Sequence, residues 1–310
     1  MVDLLSPVTR SVRAYAHLSN IYFLDYNLGH LLVVTLLPAA VVTDATTWPL
    51  LVLMAVGYFL IHCAVIAFDD VTGYRDGTDA RNYRDNPSAL RRLRWKPLVT
   101  GELDLPQALR FAWGCVLVGL ALLLTGMLAA PHHPLWLVVV AVAGVAVSLQ
   151  YSYGLKFSHI GFQELVLFLW TAELVVVPFW SLTGGVTLTL VVEGALFAFW
   201  LMMVSFYSNL RDLHTDKSVG RINLATLAGE RAYIGILGVL AVADLIAVAA
   251  LVVAGVVPLL LAVVLAPVFA ARIVQFRVAA LRRNPLLGRL IGRRLAWAGA
   301  ALMAAANVIN

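Results

Sequence analysis

Two short stretches of this chain concentrate residue types that bind ions. The later one reads Asn209-Leu210-Arg211-Asp212-Leu213-His214-Thr215-Asp216-Lys217-Ser218-Val219-Gly220-Arg221. On a helix, the i, i+4 spacing puts Asp212 and Asp216 on one face, with Cβ atoms about 5–6 Å apart. Two carboxylates so close repel each other unless a cation lies between them, and a divalent ion resolves that conflict. A solvated helix end bearing two acids is the competing reading. The earlier stretch reads Asp69-Asp70-Val71-Thr72-Gly73-Tyr74-Arg75-Asp76-Gly77-Thr78-Asp79. Gly73 and Gly77 permit sharp turns, so several carboxylates are expected to converge beside a helix end. Oxygen-only ligands suit Mg2+, which takes a few carboxylates together with water and phosphate oxygens. An EF-hand calcium loop fits less well, because the spacing lacks that loop's full ligand pattern and its terminal Glu.

The elements that carry these stretches follow from composition. Of 310 residues 62% are hydrophobic and 13% charged, and the mean hydropathy is +0.89, too apolar for a soluble globular domain. About nine apolar runs near 22–42, 48–68, 107–129, 134–153, 161–181, 187–208, 232–254, 256–275 and 291–308 approach the roughly 20 residues a helix needs to cross a bilayer. Runs such as Leu251 to Leu265 lack the alternating polarity of a membrane β-barrel. The stretch after Asn20 is interrupted by Asp25 and Asn27 and lacks a small-residue cleavage site, so it is expected to stay in the mature protein. Cys63 and Cys115 fall inside spans and are expected to be packing residues.

Numbering the loops from a cytoplasmic N-terminus, all 22 Lys and Arg, from Arg10 onward, lie on one side, while the turns at 43–47, 130–134, 182–186 and 255–257 hold none. The positive-inside rule makes that side cytoplasmic. It also accounts for the net charge of +5 without nucleic acid as a partner. Both acid-bearing loops, 69–106 and 209–231, then share the cytoplasmic face. Polar residues inside spans are costly and so are functional candidates. Asn27, His30 and Glu164 are assigned on that ground to the side of a second substrate, with helix-to-helix hydrogen bonding as the alternative.

Both loops resemble those of the UbiA superfamily of intramembrane prenyltransferases, over nearly the whole chain. The nearest likeness is to the 1,4-dihydroxy-2-naphthoate prenyltransferases of menaquinone synthesis. Asn209 to Gly220 matches their second motif almost completely, and Lys96-Pro97-Leu98-Val99-Thr100-Gly101-Glu102 is similar to the segment after their first motif. Tyr153 to Glu164, with Gly161, is similar to the loop before their fifth span. Two departures stand in the first motif: Asp69 replaces a leading Asn, and Gly73 sits where a metal-binding Asp is expected. Asp70 and Asp79 are the retained acids, with Asp69 and Asp76 available to compensate.

The resemblance implies an all-α polytopic membrane protein with a cytoplasm-facing cavity, a single UbiA-like domain over 1–310. It implies Mg2+ held by Asp69, Asp70, Asp76, Asp79, Asp212 and Asp216, with Asp70, Asp79, Asp212 and Asp216 catalytic. Arg75, Lys96, Lys156, Asn209 and Arg211 are expected at a prenyl diphosphate. The implied reaction is ionisation of that diphosphate and prenyl transfer to an aromatic acceptor, in the plasma membrane of a bacterium. A terpene cyclase of the same superfamily is the alternative. Arg-flanked acid pairs on one face argue against a scaffold, and the lack of a charged midplane pathway argues against a secondary transporter.

Overall fold

The computed structural model describes residues 7–21, 24–85 and 88–309. Tyr22 and Phe23 at the start of the first expected span, the side chain of Arg10, and both extreme ends of the 1–310 domain lie outside the described residues. The rest is nearly all helix. An amphipathic helix α1 (Pro7–Leu18), which hydropathy did not single out, precedes the bundle. The first expected span is broken: a 3-10 turn at Leu24–Leu28 leads into α2 (Gly29–Leu36), and α3 (Ala39–Val42) follows. Pro38 causes the break. Leu37 before it takes an extended ψ of 136°, as steric conflict with a proline ring demands.

The other eight expected spans are helices: α4 (Thr47–Arg75), then, after a short α5 (Pro97–Thr100), α6 (Leu105–Ala129), α7 (Leu135–Leu149), α8 (Gln163–Thr183), α9 (Leu188–Ser218), α10 (Leu224–Val253), α11 (Leu259–Phe276) and α12 (Pro285–Ile309), with α10 kinked at Gly229, whose φ of 74° and ψ of 164° are not helical. Among the described residues six helices are long and apolar enough to cross a membrane, so this is an integral membrane protein. The stretch from α7 is shorter, with 15 residues, and α12 carries Arg289, Arg293 and Arg294 near its start. Connections of a few residues force successive helices to run antiparallel.

Two of the boundaries that differ from expectation matter for the site. The span expected to end at 68 runs to Arg75, and the one expected to end at 208 runs to Ser218. A helix need not stop where its apolar run stops, because its backbone bonds are satisfied internally on either side of the membrane boundary. Asp69, Asp70 and Gly73 are therefore helical instead of lying in a loop, and only Gly77 turns the chain, with φ of 76°.

The bundle is held by close backbone contact between α4 and α6. A Cβ on Gly57 would stand 2.8 Å from the Gly119 carbonyl oxygen, and one on Gly119 would stand 2.9 Å from the Gly57 carbonyl oxygen. Without a hydrophobic drive between helices in lipid, such small-residue seams supply packing by letting backbones approach. Gly119→Val is expected to destabilise the protein by about 3 kcal/mol, the upper part of the overpacking range. Gly114→Val, on the same helix with open space around it, is expected to be neutral. Thermal unfolding in detergent checks this, and equal midpoints for the two variants would contradict the role of the seam. Cys63 and Cys115 are both buried and unpaired, as packing residues should be.

Candidate active site

The end of α4, the chain between α4 and α6, the loop between α7 and α8, and the end of α9 enclose a cavity of about 260 Å3. All six acids singled out in the sequence line it: Asp69, Asp70, Asp76, Asp79, Asp212 and Asp216. The helical extensions place Asp69, Asp70, Asp212 and Asp216 there, while Asp76 caps α4 and Asp79 follows the turn at Gly77. Residues 209, 212 and 216 share one face of α9, and Asp69, Asp70 and Gly73 share one face of α4.

Each acid is met by a donor. Lys96 Nζ lies 2.5 Å from Asp70 Oδ1 and 3.0 Å from Asp79 Oδ1. Burial disfavours this ammonium, but Asp70 and Asp79 outweigh it and hold its pKa well above the ordinary lysine value. Arg91 grips Asp212 with two parallel bonds of 2.7 and 2.5 Å, the bidentate geometry that favours arginine over lysine. Asp216 accepts from Asn223 Nδ2 at 2.9 Å and faces Arg221 at 3.7 Å. Asp76 accepts from the Thr78 amide and hydroxyl and lies 3.6 Å from His159 Nε2. Burial raises the Asp76 pKa, but His159 and Thr78 more than offset it and bring the group to about 2.

The loop between α7 and α8 ties the two acid-bearing helix ends together. Ser152 donates to Asp69 while its carbonyl accepts from Thr72 at 2.7 Å. Further along, the Ser158 carbonyl accepts from Arg221 Nε at 3.0 Å, and the His159 carbonyl from the Ile222 amide at 2.8 Å. The opposite wall is apolar, with Val65, Ile66, Val166, Leu167, Trp170 and Leu201. The lining therefore combines a charged group of residues with an apolar one, and Asp25, His62 and Gln163 add polar atoms to it.

Of the residues expected at an anion, Lys96 and Asn209 line the cavity. Asn209 accepts from Gln163 at 3.2 Å and donates to Glu164 at 3.4 Å, so Glu164 stands just behind the lining. Arg75, Lys156 and Arg211 do not line it, and all three are exposed. Arg211 sits about 100° around the helix from Asp212, Arg75 lies on the outer face of the last turn of α4, and Lys156 is at a left-handed loop position with φ of 55°. The cations that do line the cavity are Arg91, Lys96, Arg221 and Arg289. Arg221 was legible as the basic residue closing the second motif. Arg91 was not, because it belongs to a run of basic residues that topology alone explains. Asn27 and His30 are not in the lining; His30 Nδ1 lies 3.1 Å from the Asn27 carbonyl oxygen, and the neighbouring Tyr26 is in it.

A donor set of carboxylate oxygens fits a hard divalent cation such as Mg2+. The acids do not, however, converge as sequence spacing suggested: among the described residues no three His, Cys, Asp or Glu side chains gather around one point. They form pairs and singlets around a shared space. That suits an ion which keeps water and takes some of its oxygens from a bound phosphate better than it suits an all-protein cage.

Comparison with curated proteins finds no match. Among solved structures, the chain is similar to the apo structure of a UbiA homologue from Aeropyrum pernix K1, with TM-score 0.64, 16% identity, and coverage of 98% of this chain and 99% of that one. It is similar also to a UbiA homologue from Archaeoglobus fulgidus bound to GPP and Mg2+, with TM-score 0.63, 15% identity, and coverage of 94% and 99%. A structure that bears on digeranylgeranylglyceryl phosphate synthase in membranes aligns with TM-score 0.60 at 14% identity over 97% and 99% of the two chains. Residues 31–285 match the model of the UbiA prenyltransferase family, a span that contains Asp69, Asp70, Asp76, Asp79, Asp212 and Asp216, and the chain belongs to that family.

Proposed function

We propose that the protein binds a prenyl diphosphate with Mg2+ and transfers the prenyl group to an aromatic acceptor. The observation that carries this reading is the single cavity in which acids from α4, the following turn and α9 face one another across from an apolar wall. A diphosphate needs the first, and a hydrocarbon tail the second. Family membership and the GPP and Mg2+ bound to a homologue of the same fold support it.

Asp69, Asp70, Asp76, Asp79, Asp212 and Asp216 are the residues that would hold Mg2+. When bound, the metal supplies charge stabilisation to the departing diphosphate. The chain's own part is to hold the substrate and the charge that develops. Lys96, Arg91 and Arg221 offer donors to the phosphate oxygens, with arginine as a fork and lysine as a point charge. Heterolysis of the allylic C–O bond leaves its electron pair on the diphosphate oxygen. The remaining cation lies toward Trp170 and Tyr26, whose faces stabilise positive charge without bonding to it. An electron-rich ring carbon then forms the new C–C bond and loses its proton. The one-sided Lys and Arg distribution supports a cavity open to the cytoplasm.

Membranes containing the protein, incubated with Mg2+ and prenyl diphosphates of several lengths with and without aromatic acceptors, test this. Prenylated acceptor formed only when acceptor is present is the expected result. A cyclic hydrocarbon or alcohol formed without acceptor would replace transfer by cyclisation, and no diphosphate consumption under any condition would overturn the reading.

A further inference from the structure

Gly73 lies in the helical backbone of α4, one turn beyond Asp69 and Asp70. A Cβ on it would stand 2.8 Å from Cγ and from Oδ2 of Asp79 and 3.1 Å from Oδ1. Carbon atoms do not approach a carboxylate so closely, so any larger residue at 73 must push Asp79 away. Asp79 reaches this place from outside the helix. The chain leaves α4 at Asp76, turns at Gly77 with φ of 76°, and is pinned by the Asp76 carboxylate accepting from the Thr78 amide and hydroxyl. The turn carries Asp79 back over the face of α4 that bears Asp70. There both carboxylates share the Lys96 ammonium at 2.5 and 3.0 Å, and Asp79 is only 8% exposed. Its carboxylate fills the volume into which a side chain on residue 73 would project.

We propose that Gly73 is a positioning residue: its missing side chain admits the Asp79 carboxylate to the metal-binding face of α4. An acid supplied by the following turn thus stands where the helix itself could have carried one. The glycine and the aspartate then act as a unit, and neither is independently replaceable. This rests on the metal-binding part of the function proposed above.

Mn2+ binding to the purified protein in detergent, read by the spectrum of the free ion, provides a test separate from turnover. Gly73→Ala is expected to weaken Mn2+ binding at least tenfold, as Asp79→Ala does. The double variant Gly73→Ala, Asp79→Ala is expected to be no weaker than Asp79→Ala alone, because the methyl group then has nothing to displace. Gly73→Asp in the Asp79→Ala background is expected to recover binding, since it returns a carboxylate to the same volume from the helix. Gel filtration and unfolding midpoints establish that each variant is folded, and the Asp79→Ala background removes the clash that could prevent folding. Wild-type affinity in Gly73→Ala, a double variant weaker than Asp79→Ala, or a swap no better than Asp79→Ala would each overturn the proposal. If the wild-type protein itself binds no Mn2+, the metal reading falls and this inference with it; if it binds and Gly73→Ala binds equally, only the positioning role falls.

Discussion

Asp212→Ala and Asp216→Ala are each expected to lower prenyl diphosphate consumption by about 10²–10³-fold or more, the scale on which removing one preorganised charge-stabilising group acts. The two side chains project from adjacent turns of α9 into one cavity. Asp216 is 2% exposed, held by Asn223 from the start of α10. Asp212 is fixed by the fork of Arg91. A merely solvated helix end would show neither this burial nor this fixation. Because Asp212→Ala leaves the buried Arg91 without its acid, Asp212→Asn is the companion variant that keeps shape while removing charge. Steady-state diphosphate release across a range of Mg2+ concentrations checks the expectation, with detergent-extracted protein confirmed as folded. Near-wild-type turnover in Asp212→Asn and Asp216→Ala would return these acids to the status of solvated residues.

Lys96→Met is expected to have the largest effect on stability. The ammonium is the shared counter-charge of Asp70 and Asp79, and all three residues are buried. Removing one partner of a buried ionic group leaves the others uncompensated and costs about 3–5 kcal/mol. Added Mg2+ should recover much of that loss, because a ligand that binds only the folded state stabilises it by about 2.7 kcal/mol at one hundred times its dissociation constant. Thermal unfolding with and without Mg2+ measures both quantities. The variant should unfold well below wild type in chelator and respond to Mg2+ more steeply than wild type does. An unfolding midpoint equal to wild type in chelator would show that the two carboxylates do not depend on Lys96.

Much of this arrangement was legible before any coordinates. Hydropathy located the long helices, since a bilayer admits little other than helices of bilayer length. The i, i+4 spacing put Asp212 and Asp216 on one face, and charge asymmetry put both acid-rich stretches on one side of the membrane. Helix ends were less legible. The apolar run marks where hydrocarbon ends, whereas α4 continues to Arg75 and α9 to Ser218 because nothing in the polar extension breaks the backbone ladder. Pro38 was readable as a break in principle, but the apolar run continues through it.

The cations illustrate the division most clearly. Composition and topology determine that this face is rich in arginine and lysine, and they cannot rank one against another. Arg75 and Arg211 stand beside the acids in sequence yet point outward, whereas Arg91 and Asp212 are far apart in the chain and meet as a bidentate pair. A helix rotates each successive side chain by about 100°, so adjacency in sequence separates groups that the fold must bring together from elsewhere. The same holds for Gly73. As a letter in the sequence it is a missing acid; in three dimensions it is the space that Asp79 fills. Hydropathy and motif spacing carry the long helices, the family likeness and six of the cavity's carboxylates, though not Asp25. Only the tertiary structure decided which cation faces which acid and which backbone supplies each carboxylate, because those depend on contacts between segments that no local spacing encodes.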